Sequence, residues 1–202
     1  MSKFVRNEDA FTGLEAAIVL IAFVVVAAVF SYVVLGAGFF TTQKSQEVIH
    51  TGVSQTSSSI EIVGDVIGKA GTSMANLESV LVTVGLSAGQ GSVDFDNVVV
   101  TYSDANVVKT LTHDDDNDYS GSGDHSDADP DNWIIYDRQN SEDDIGNLLE
   151  PFEQFTLSIG IPADATVGPN HPFTIEIKPS VGAPYGIVRT TPPQFTAFNT
   201  LR

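Results

Sequence analysis

The chain has 202 residues, of which 26 are acidic and 9 are basic, and its formal net charge at pH 7 is −17. This balance argues against nucleic-acid binding, which needs a basic surface, and it is typical of an extracellular surface that resists nonspecific association. The sequence contains no cysteine, which excludes disulfides, thiol catalysis and cysteine-ligated zinc, so stability outside a cell must come from packing and assembly.

A polar leader and a long apolar segment open the sequence. The leader, residues 1–10, contains Lys3 and Arg6, and residues 16–43 contain no charged side chain. As a helix this segment would be roughly 40 Å long at about 1.5 Å per residue, whereas a bilayer core needs only about 20 residues. The two basic residues favour leaving the leader in the cytoplasm, and the small residues among the apolar ones allow helices to approach one another closely.

The order of these two segments distinguishes between two fates of an apolar N-terminus. A secretory signal peptide is cut after its apolar run, but no good small-residue cleavage site follows this run. The plausible cut lies before it, between Ala10 and Phe11. A protein that loses its leader and keeps such a helix must bury the helix in a membrane or against copies of itself.

From residue 41 to about residue 70 the apolar residues recur at a helical period, with polar residues between them. Ile49, Val53, Ile60, Val63 and Ile67 form one apolar stripe in this segment. We therefore expect a single helix over residues 11–70, apolar on all sides at first and then on one side. A helix of this length indicates a helical core that is shared between subunits.

After residue 71 the apolar period changes to two, which predicts β-strands. Phe155, Leu157, Ile159 and Ile161 alternate with other residues, and Gly, Pro, Asn and Asp fill the gaps between such runs. The predicted strands are residues 79–86, 92–102, 106–112, 132–137, 153–161, 173–178 and 185–189. The fold class is therefore predicted to be α+β, with a long N-terminal hydrophobic helix followed by an antiparallel immunoglobulin-like β-sandwich over residues 71–202.

An acidic stretch, residues 114–131, is the most unusual feature of the β region. Residues 116–121 read DNDYSG, which is like the start of a calcium loop, with oxygen ligands at alternate positions and then a glycine. The candidate calcium ligands in this register are Asp116, Asp118, Ser120, Asp124 and Asp127. Gly123 replaces the usual apolar residue, Asp127 replaces the bidentate glutamate, and no flanking helices are predicted. The alternative is a solvated acidic loop between strands.

Glu15 is the one charge at the start of the apolar segment. An ionised carboxylate in an apolar assembly needs a partner, and after cleavage the α-ammonium group of Phe11 would be available, either one helical turn away or on a neighbouring subunit. Alternatively, Glu15 is an acidic residue that the helix macrodipole favours at an N-terminus.

Nothing in the residue pattern indicates an enzyme. The four histidines show no metal-ligand spacing, and the sequence contains no G-x-S-x-G motif, phosphate-binding loop or HExxH motif. Trp133 is expected in the core of the sandwich, and the alternative is a position between the subunits of a polymer.

Two blocks of the sequence resemble the same family. The N-terminal block AFTGLE, with Ala10, Phe11, Gly13 and Glu15, is followed by an apolar run and resembles the class III signal and N-terminal helix of archaellins, the archaeal flagellins. Type IV pilins share this arrangement. Residues 173–184 and 187–192, which read FTIEIKPSVGAP and IVRTTP, resemble the C-terminal archaellin block. Together the two blocks bracket nearly the whole chain.

The resemblance implies a structural subunit of the archaellum, the archaeal swimming filament. It implies a precursor in the cytoplasmic membrane, a peptidase that removes residues 1–10, and an ATP-driven platform that assembles the mature subunit outside the cell with copies of itself or with sister archaellins. The likeness to pilins implies that Glu15 pairs with the amine of Phe11 on a neighbouring subunit. No cofactor is required, and calcium or another divalent cation is predicted only for the acidic stretch.

Two alternatives stay open at this point. The same N-terminal segment would serve an adhesive type IV-like pilus subunit or a minor archaellin at the base or tip of a filament. A membrane-anchored surface domain that binds calcium or another ligand is the alternative from a different functional class, and it would keep its leader and form no polymer.

Overall fold

The computed structural model of the chain describes residues 8–87, 91–119, 127–141 and 146–202, and it describes their side chains except at residues 8–12 and 57. The chain divides into two compact units, Met1–Thr51 and Gly52–Arg202. The first unit is helical and the second contains the strands, so each is considered by itself.

Helix α1, Glu8–Ser57, is 50 residues long. Val, Ile, Leu and Phe occupy all sides of its apolar part, so it has no single face that could be turned toward a core. Every residue from 13 to 53 is exposed. The segment Gly13–Thr56 is long and apolar enough to cross a membrane, judged by length and composition. The helix therefore exposes an apolar surface that needs lipid or other apolar helices around it.

The predicted continuation of the helix to residue 70 is wrong. Helix α1 ends at Ser57, and strands β1 (Ile60–Ile62) and β2 (Ile67–Ala70) follow it. Serines at the helix end are poor helix formers, and the β-branched residues beyond them favour strands. The apolar residues whose spacing predicted a helix lie instead in two short strands and in the turn between them. The β region therefore starts at Ile60, the first residue of β1, and not at residue 71.

Ten further strands make up the rest of the second unit. Their bounds are β3 (Leu77–Leu86), β4 (Val93–Asp94), β5 (Val99–Ser103), β6 (Val108–His113), β7 (Asn132–Gln139), β8 (Leu148–Leu149), β9 (Gln154–Gly160), β10 (Pro172–Lys178), β11 (Tyr185–Thr190) and β12 (Phe198–Thr200). Short 3-10 helices lie at Phe95–Asn97 and Asp115–Asn117. The first of these interrupts the strand that was predicted over residues 92–102.

Among the described residues, the strands form one large sheet and one two-stranded sheet. The large sheet has the order β11-β10-β5-β6-β7-β9-β3-β2-β12, with β1 beside β3, and the small sheet pairs β4 with β8. Most pairs are antiparallel, but β6 and β7 run parallel over two residue pairs, Thr112 with Asn132 and His113 with Trp133. The predicted α+β fold is confirmed: a long N-terminal helix precedes a mostly antiparallel β-sheet.

The two halves of the large sheet share one hydrophobic core. In the half that contains β10, Phe173, Ile175 and Ile177 alternate with more exposed residues and are fully or almost fully buried. They belong to the same core cluster as Leu157 and Ile159 of β9, which lie in the other half. Alternation along β10 explains which of its residues are buried, whereas residues 157–160 of β9 are all buried.

Trp133 lies in this core, as predicted. It is 1% exposed and meets Phe95 edge to face, with ring centroids 6.3 Å apart. Phe95 in turn contacts Phe155 at 5.4 Å between centroids. These aromatic contacts join the short 3-10 helix at Phe95–Asn97 to strands β7 and β9, close to where the acidic stretch leaves β6.

The candidate assembly helix and the acidic crossover

The residues predicted for processing and assembly lie at the start of α1. Ala10, Phe11, Gly13 and Glu15 all fall within the helix, and the side chains of Ala10 and Phe11 lie outside the described part of the chain. Gly13 and Glu15 are exposed, and a Cβ atom at Gly13 would have no neighbour within 4 Å. Cleavage between Ala10 and Phe11, and pairing of Glu15 with the amine of Phe11, stay predictions.

Several polar groups in the described part of α1 are satisfied within the helix itself. Four threonine hydroxyls each donate a hydrogen bond to the carbonyl oxygen four residues earlier, at 2.8 to 2.9 Å, and these are Thr41, Thr42, Thr51 and Thr56. Lys44 Nζ lies 2.6 Å from Glu47 Oε2, one helical turn away. Since these hydroxyl groups already have acceptors within the helix, they keep their hydrogen bonds when the helix enters an apolar environment.

The acidic stretch is the crossover between β6 and β7. Because β6 and β7 are parallel neighbours, the chain must return to the same end of the sheet before β7 begins, and a hairpin cannot make that connection. Residues 114–131 make it, and we call them the acidic crossover. Residues 120–126 of the crossover lie outside the described residues.

His113, the last residue of β6, organises the first part of the acidic crossover. Its Nε2 lies 3.0 Å from Asp118 Oδ2 and its Nδ1 lies 2.7 Å from Asp115 Oδ1. The imidazole stacks on Trp133 with ring centroids 4.0 Å apart and an interplanar angle of 7°. The other oxygen of Asp118, Oδ1, accepts a hydrogen bond of 2.6 Å from the backbone N–H of Ile135 in β7. Asp118 therefore fastens the crossover to the next strand.

Opposing effects act on the charge of His113. Burial disfavours the imidazolium, but its hydrogen bond to Asp118 and the negative charges of Asp118, Asp115 and Asp96 outweigh burial and raise the pKa of His113 above its ordinary value. Both ring nitrogens face carboxylates, which is the arrangement that suits a protonated imidazole, because only that form donates from both nitrogens.

A group of possible metal ligands was missed by the sequence reasoning. Asp96, His113 and Asp115 carry ligand atoms that all lie within 4.8 Å of one another. Asp96 belongs to the 3-10 helix before β5, so only the tertiary fold brings it to His113. Both ring nitrogens of His113 already lie within hydrogen-bonding distance of carboxylate oxygens of Asp115 and Asp118, so these residues form a hydrogen-bonded network of carboxylates around the imidazole.

The five predicted calcium ligands have different surroundings. Ser120 and Asp124 lie outside the described residues, and Asp116 is exposed. Asp118 has both oxygens occupied by His113 and Ile135, and Asp127 forms an ion pair with Lys69. Protein groups therefore occupy both oxygens of Asp118, whereas Oδ1 of Asp127 is buried and has no hydrogen-bond partner among the described residues. Calcium binding at this loop stays a prediction.

Arg138 holds the acidic crossover and the segment before β8 together. Its Nη1 donates to the carbonyl oxygen of Tyr119, and its Nη2 donates to Asn147 Oδ1 at 2.7 Å. Asn147 Nδ2 then donates to Asp96 Oδ1 at 2.6 Å. The guanidinium carbon of Arg138 also lies 5.7 Å from the centroid of the Phe155 ring, a cation–π distance. One buried arginine thus links three separate parts of the chain.

Two contacts connect the residues that follow α1 to other parts of the β region. Ser87, just after β3, donates its backbone N–H to the carbonyl oxygen of Ser59 at 2.9 Å. Gly182, in the loop between β10 and β11, lies against the carbonyl group of Ser58. The C-terminal block that resembles archaellins is therefore the β10–β11 hairpin, and its loop contacts the chain where the helix ends.

Comparisons with known proteins agree with this arrangement. The sequence model of the archaeal-type flagellin family matches residues 10–189. Probable flagellin 1 of Archaeoglobus fulgidus is 44% identical over 98% of this chain and 98% of its own length. The structure of the archaeal flagellum of Methanospirillum hungatei strain JF1 matches with a TM-score of 0.67 and 32% identity, and the match covers 94% of this chain and 98% of that chain.

A second solved structure supports the fold alone. The crystal structure of archaeal flagellin FlaB1 from Methanocaldococcus jannaschii is 14% identical, with a TM-score of 0.59 over 71% of this chain. The family match covers most of the sequence, and the Archaeoglobus relative is similar along its full length. The chain therefore belongs to the archaeal-type flagellin family.

Proposed function

We propose that the chain is a structural subunit that polymerises through α1 into an archaellum, the filament for swimming. The observation that carries this proposal is the surface of α1. It is exposed from residue 13 to residue 53 and apolar on all sides over most of that length, and four threonine hydroxyls of the helix donate to its own carbonyl oxygens. A bundle of identical helices covers such a surface on every side. The full-length likeness to the flagellum subunit of Methanospirillum hungatei supports the same conclusion.

The energetics favour a filament that stays assembled. Transfer of α1 from lipid to a helix bundle gains little hydrophobic energy, because both surroundings are apolar. Close packing and the assembly machinery must therefore supply the free energy that favours the bundle over lipid. Once the filament is in water, loss of a subunit would expose the helix at a cost of about 25 cal/mol for each Å² of apolar surface. A head-to-tail contact that does not close on itself propagates as a helical polymer.

The proposed route to the filament starts in the cytoplasmic membrane. The precursor spans the membrane with α1, a membrane peptidase cuts between Ala10 and Phe11, and an ATP-driven platform inserts the mature subunit beside copies of itself or sister archaellins. In the filament, Glu15 pairs with the new α-ammonium group of Phe11 on a neighbour, since an unpaired carboxylate in an apolar bundle would be costly. The filament lies outside the cell, with the β domains on its surface.

The first experiment is mass spectrometry and N-terminal sequencing of protein sheared from cells. We expect sedimentable filaments whose subunits begin at Phe11. Membrane-bound monomers that retain residues 1–10 would contradict the proposal and would favour an anchored surface domain. Deletion of the gene separates motility from adhesion, because loss of swimming with normal attachment is expected for an archaellum and the reverse is expected for an adhesive pilus.

Calcium binding by the acidic crossover is a separate proposal and is independent of polymerisation. Its ligands would be Asp116, Asp118, Ser120, Asp124 and Asp127, and a cation there would also reduce repulsion between acidic neighbours. The test is a calcium titration of the unfolding temperature at constant ionic strength. A saturable rise that Asp116→Asn with Asp124→Asn abolishes would support binding, and an unchanged unfolding temperature would exclude it.

A further inference from the structure

One half of the large sheet has an outer face that the described part of the chain leaves open. This half consists of β11, β10, β5 and β6, and its inner side chains, such as Ile175 and Tyr102, belong to the hydrophobic core. Side chains alternate along a strand, so every second residue points away from the core. Val108 and Val188 on this outer side are exposed by 73% and 64%. We call the outer side the threonine face, and it consists of every second residue in 99–103, 108–112, 174–178 and 186–188.

Hydroxyl side chains occupy the middle of the threonine face. Thr174 of β10 pairs with Val188 of β11 on one side and with Ser103 of β5 on the other. Ser103 also pairs with Val108 of β6, so the valines stand at the two ends of this row. Four strands about 4.8 Å apart and about five residues long give the face an area of roughly 300 Å². Two proteins that associate from free solution each bury about 800 Å². The threonine face therefore suits a contact between copies that another surface already holds together.

The threonine face has no net charge, although the chain is strongly acidic. Its charged members are one glutamate, Glu176, and one lysine, Lys178, whereas the whole chain carries −17. The other acidic residues of the β domain lie elsewhere, many of them in the acidic crossover. Acidic surfaces of neighbouring copies repel one another, and a face without net charge avoids this repulsion. The charge distribution therefore favours the threonine face over the acidic surfaces as the place where the β domains of two copies meet.

A second patch without net charge lies on the opposite side of the β domain. Phe198 of β12 is 61% exposed, and Lys69 beside it has its charge paired with an acidic residue. Ile67 of β2 pairs with Thr200 of β12 on one side and with Leu81 of β3 on the other. The residues before and after Leu81 belong to the same core as the inner side chains of the first half, so this patch points away from that core in the other direction. We call Phe198, Thr200, Ile67 and Leu81 the Phe198 patch.

A filament of identical subunits needs two different surfaces on each subunit, because a head-to-tail contact joins one surface to the other surface of the next copy. The threonine face and the Phe198 patch lie on opposite sides of one β domain, as such a contact requires. We propose that the threonine face of one copy packs against the Phe198 patch of the next copy in the filament. The proposal rests on the proposed function, since polymerisation through α1 must first hold the copies side by side. It gives the β domains a direct part in holding the filament together.

The first test is chemical cross-linking in filaments from cells that produce the double variant Val108→Cys with Phe198→Cys. The natural sequence has no cysteine, so only the introduced thiols react. A short bismaleimide is used, because packed sheets lie about 10 Å apart, farther than a disulfide bridges. We expect a ladder of cross-linked multimers, and only monomers from the control Val108→Cys alone. Monomers from the double variant in normal filaments, or dimers from Val108→Cys alone, would overturn the proposal.

The second test adds a charge to the threonine face. Thr110 is exposed and shares a row with Thr101 and Glu176, so Thr110→Asp places a second carboxylate in that row. Filaments of this variant should lose subunits about fivefold faster than natural filaments at low salt, and the difference should shrink when salt screens the charge. Thr110→Asn is the matched control, because it has the shape of the aspartate without its charge, and it should lose subunits at about the natural rate.

Sedimentation of diluted filaments measures the loss of subunits in this second test. The unfolding temperature of both variants in detergent shows whether the β domain stays folded. Equal loss from Thr110→Asp and Thr110→Asn filaments at low salt would contradict the contact between the two faces. Failure of the natural chain to form filaments would instead contradict the proposed function itself.

Discussion

Gly182 lies so close to Ser58 that a Cβ atom at Gly182 would overlap the Ser58 carbonyl oxygen and come within 3.0 Å of the carbonyl carbon. Gly182 also has φ +119°, a backbone conformation in which any side chain is strained. Two independent requirements thus select glycine at this residue. The contact joins the C-terminal hairpin to the first residue after α1.

Gly182→Ala is therefore expected to lower the free energy of unfolding of the β domain by about 2–4 kcal/mol, the sum of steric overlap and backbone strain. Gly186→Ala in the same hairpin is the control, because a Cβ atom there has no neighbour within 4 Å and its φ is not positive. Denaturant unfolding of the two variants checks the difference. Equal stabilities would show that the loop simply moves away from Ser58.

His113 is expected to make stability depend on pH near neutrality. Its pKa is raised in the folded chain, so its contribution is fully present below the unfolded value of about 6.5 and is lost as the pH rises through the folded value. His113→Phe keeps a ring on Trp133 but removes the charge. The unfolding temperature of the natural chain minus that of this variant should be largest below pH 6.5 and should decrease as the pH rises. A difference independent of pH would contradict the ion-pair network.

Asp104 is expected to stabilise the β5–β6 turn through its ionised form. Burial of this carboxyl opposes ionisation, but hydrogen bonds from the backbone N–H groups of Asn106 and Val107, from the Tyr102 hydroxyl and from His171 outweigh it and hold the pKa of Asp104 below its ordinary value. Asp104→Asn should cost about 1–3 kcal/mol at neutral pH.

The pH dependence of Asp104 has the opposite sign to that of His113. Since the folded pKa is lowered, the stabilisation is present above the unfolded value of 3.8 and is lost as the pH falls through the folded value. The difference in unfolding temperature between the natural chain and Asp104→Asn should therefore become smaller in acid. Persistence of the full difference at the lowest pH would show that the substitution acts by shape alone.

A charge in the middle of α1 is expected to prevent polymerisation without unfolding the β domain. Val26→Asp would place an unpaired carboxylate in an apolar bundle, which costs several kcal/mol. Ser45→Asp, in the polar outer part, is the matched control and should still form filaments. Electron microscopy measures assembly, and the amount of precursor in the membrane fraction shows whether the variant reaches the membrane. Normal filaments from Val26→Asp would argue against a closely packed helical core.

Local patterns predicted the elements that local forces determine. The alternation of Phe155, Leu157 and Ile159 predicted β9 to within one residue at each end, since one buried face produces a period of two. The end of α1 was missed because Ile60 and Val63 fit a helical stripe as well as they fit short strands. Only the core of the β domain, which buries Ile60 but leaves Ile49 exposed, distinguishes the two.

The arrangement around His113 could not be predicted from residues that are neighbours in the sequence, and the physical reason is different. Asp96 and Trp133 reach His113 from two other parts of the chain, and no short-range spacing reports the stacking that the parallel pairing of β6 and β7 creates. The calcium-loop pattern was visible in the sequence, but the pattern does not show that Asp118 and Asp127 have protein partners.

The short strand β1 also determines how the β domain responds to mechanical force. It is the first strand after α1 and pairs with β3 over only three residues. Tension or torque carried by the helices of a rotating filament would enter each β domain through this strand, and the Ser87–Ser59 hydrogen bond and the Gly182–Ser58 contact share that force. Such a force would therefore act first on the β1–β3 pairing and on these two contacts, before it reached the other strands of the large sheet.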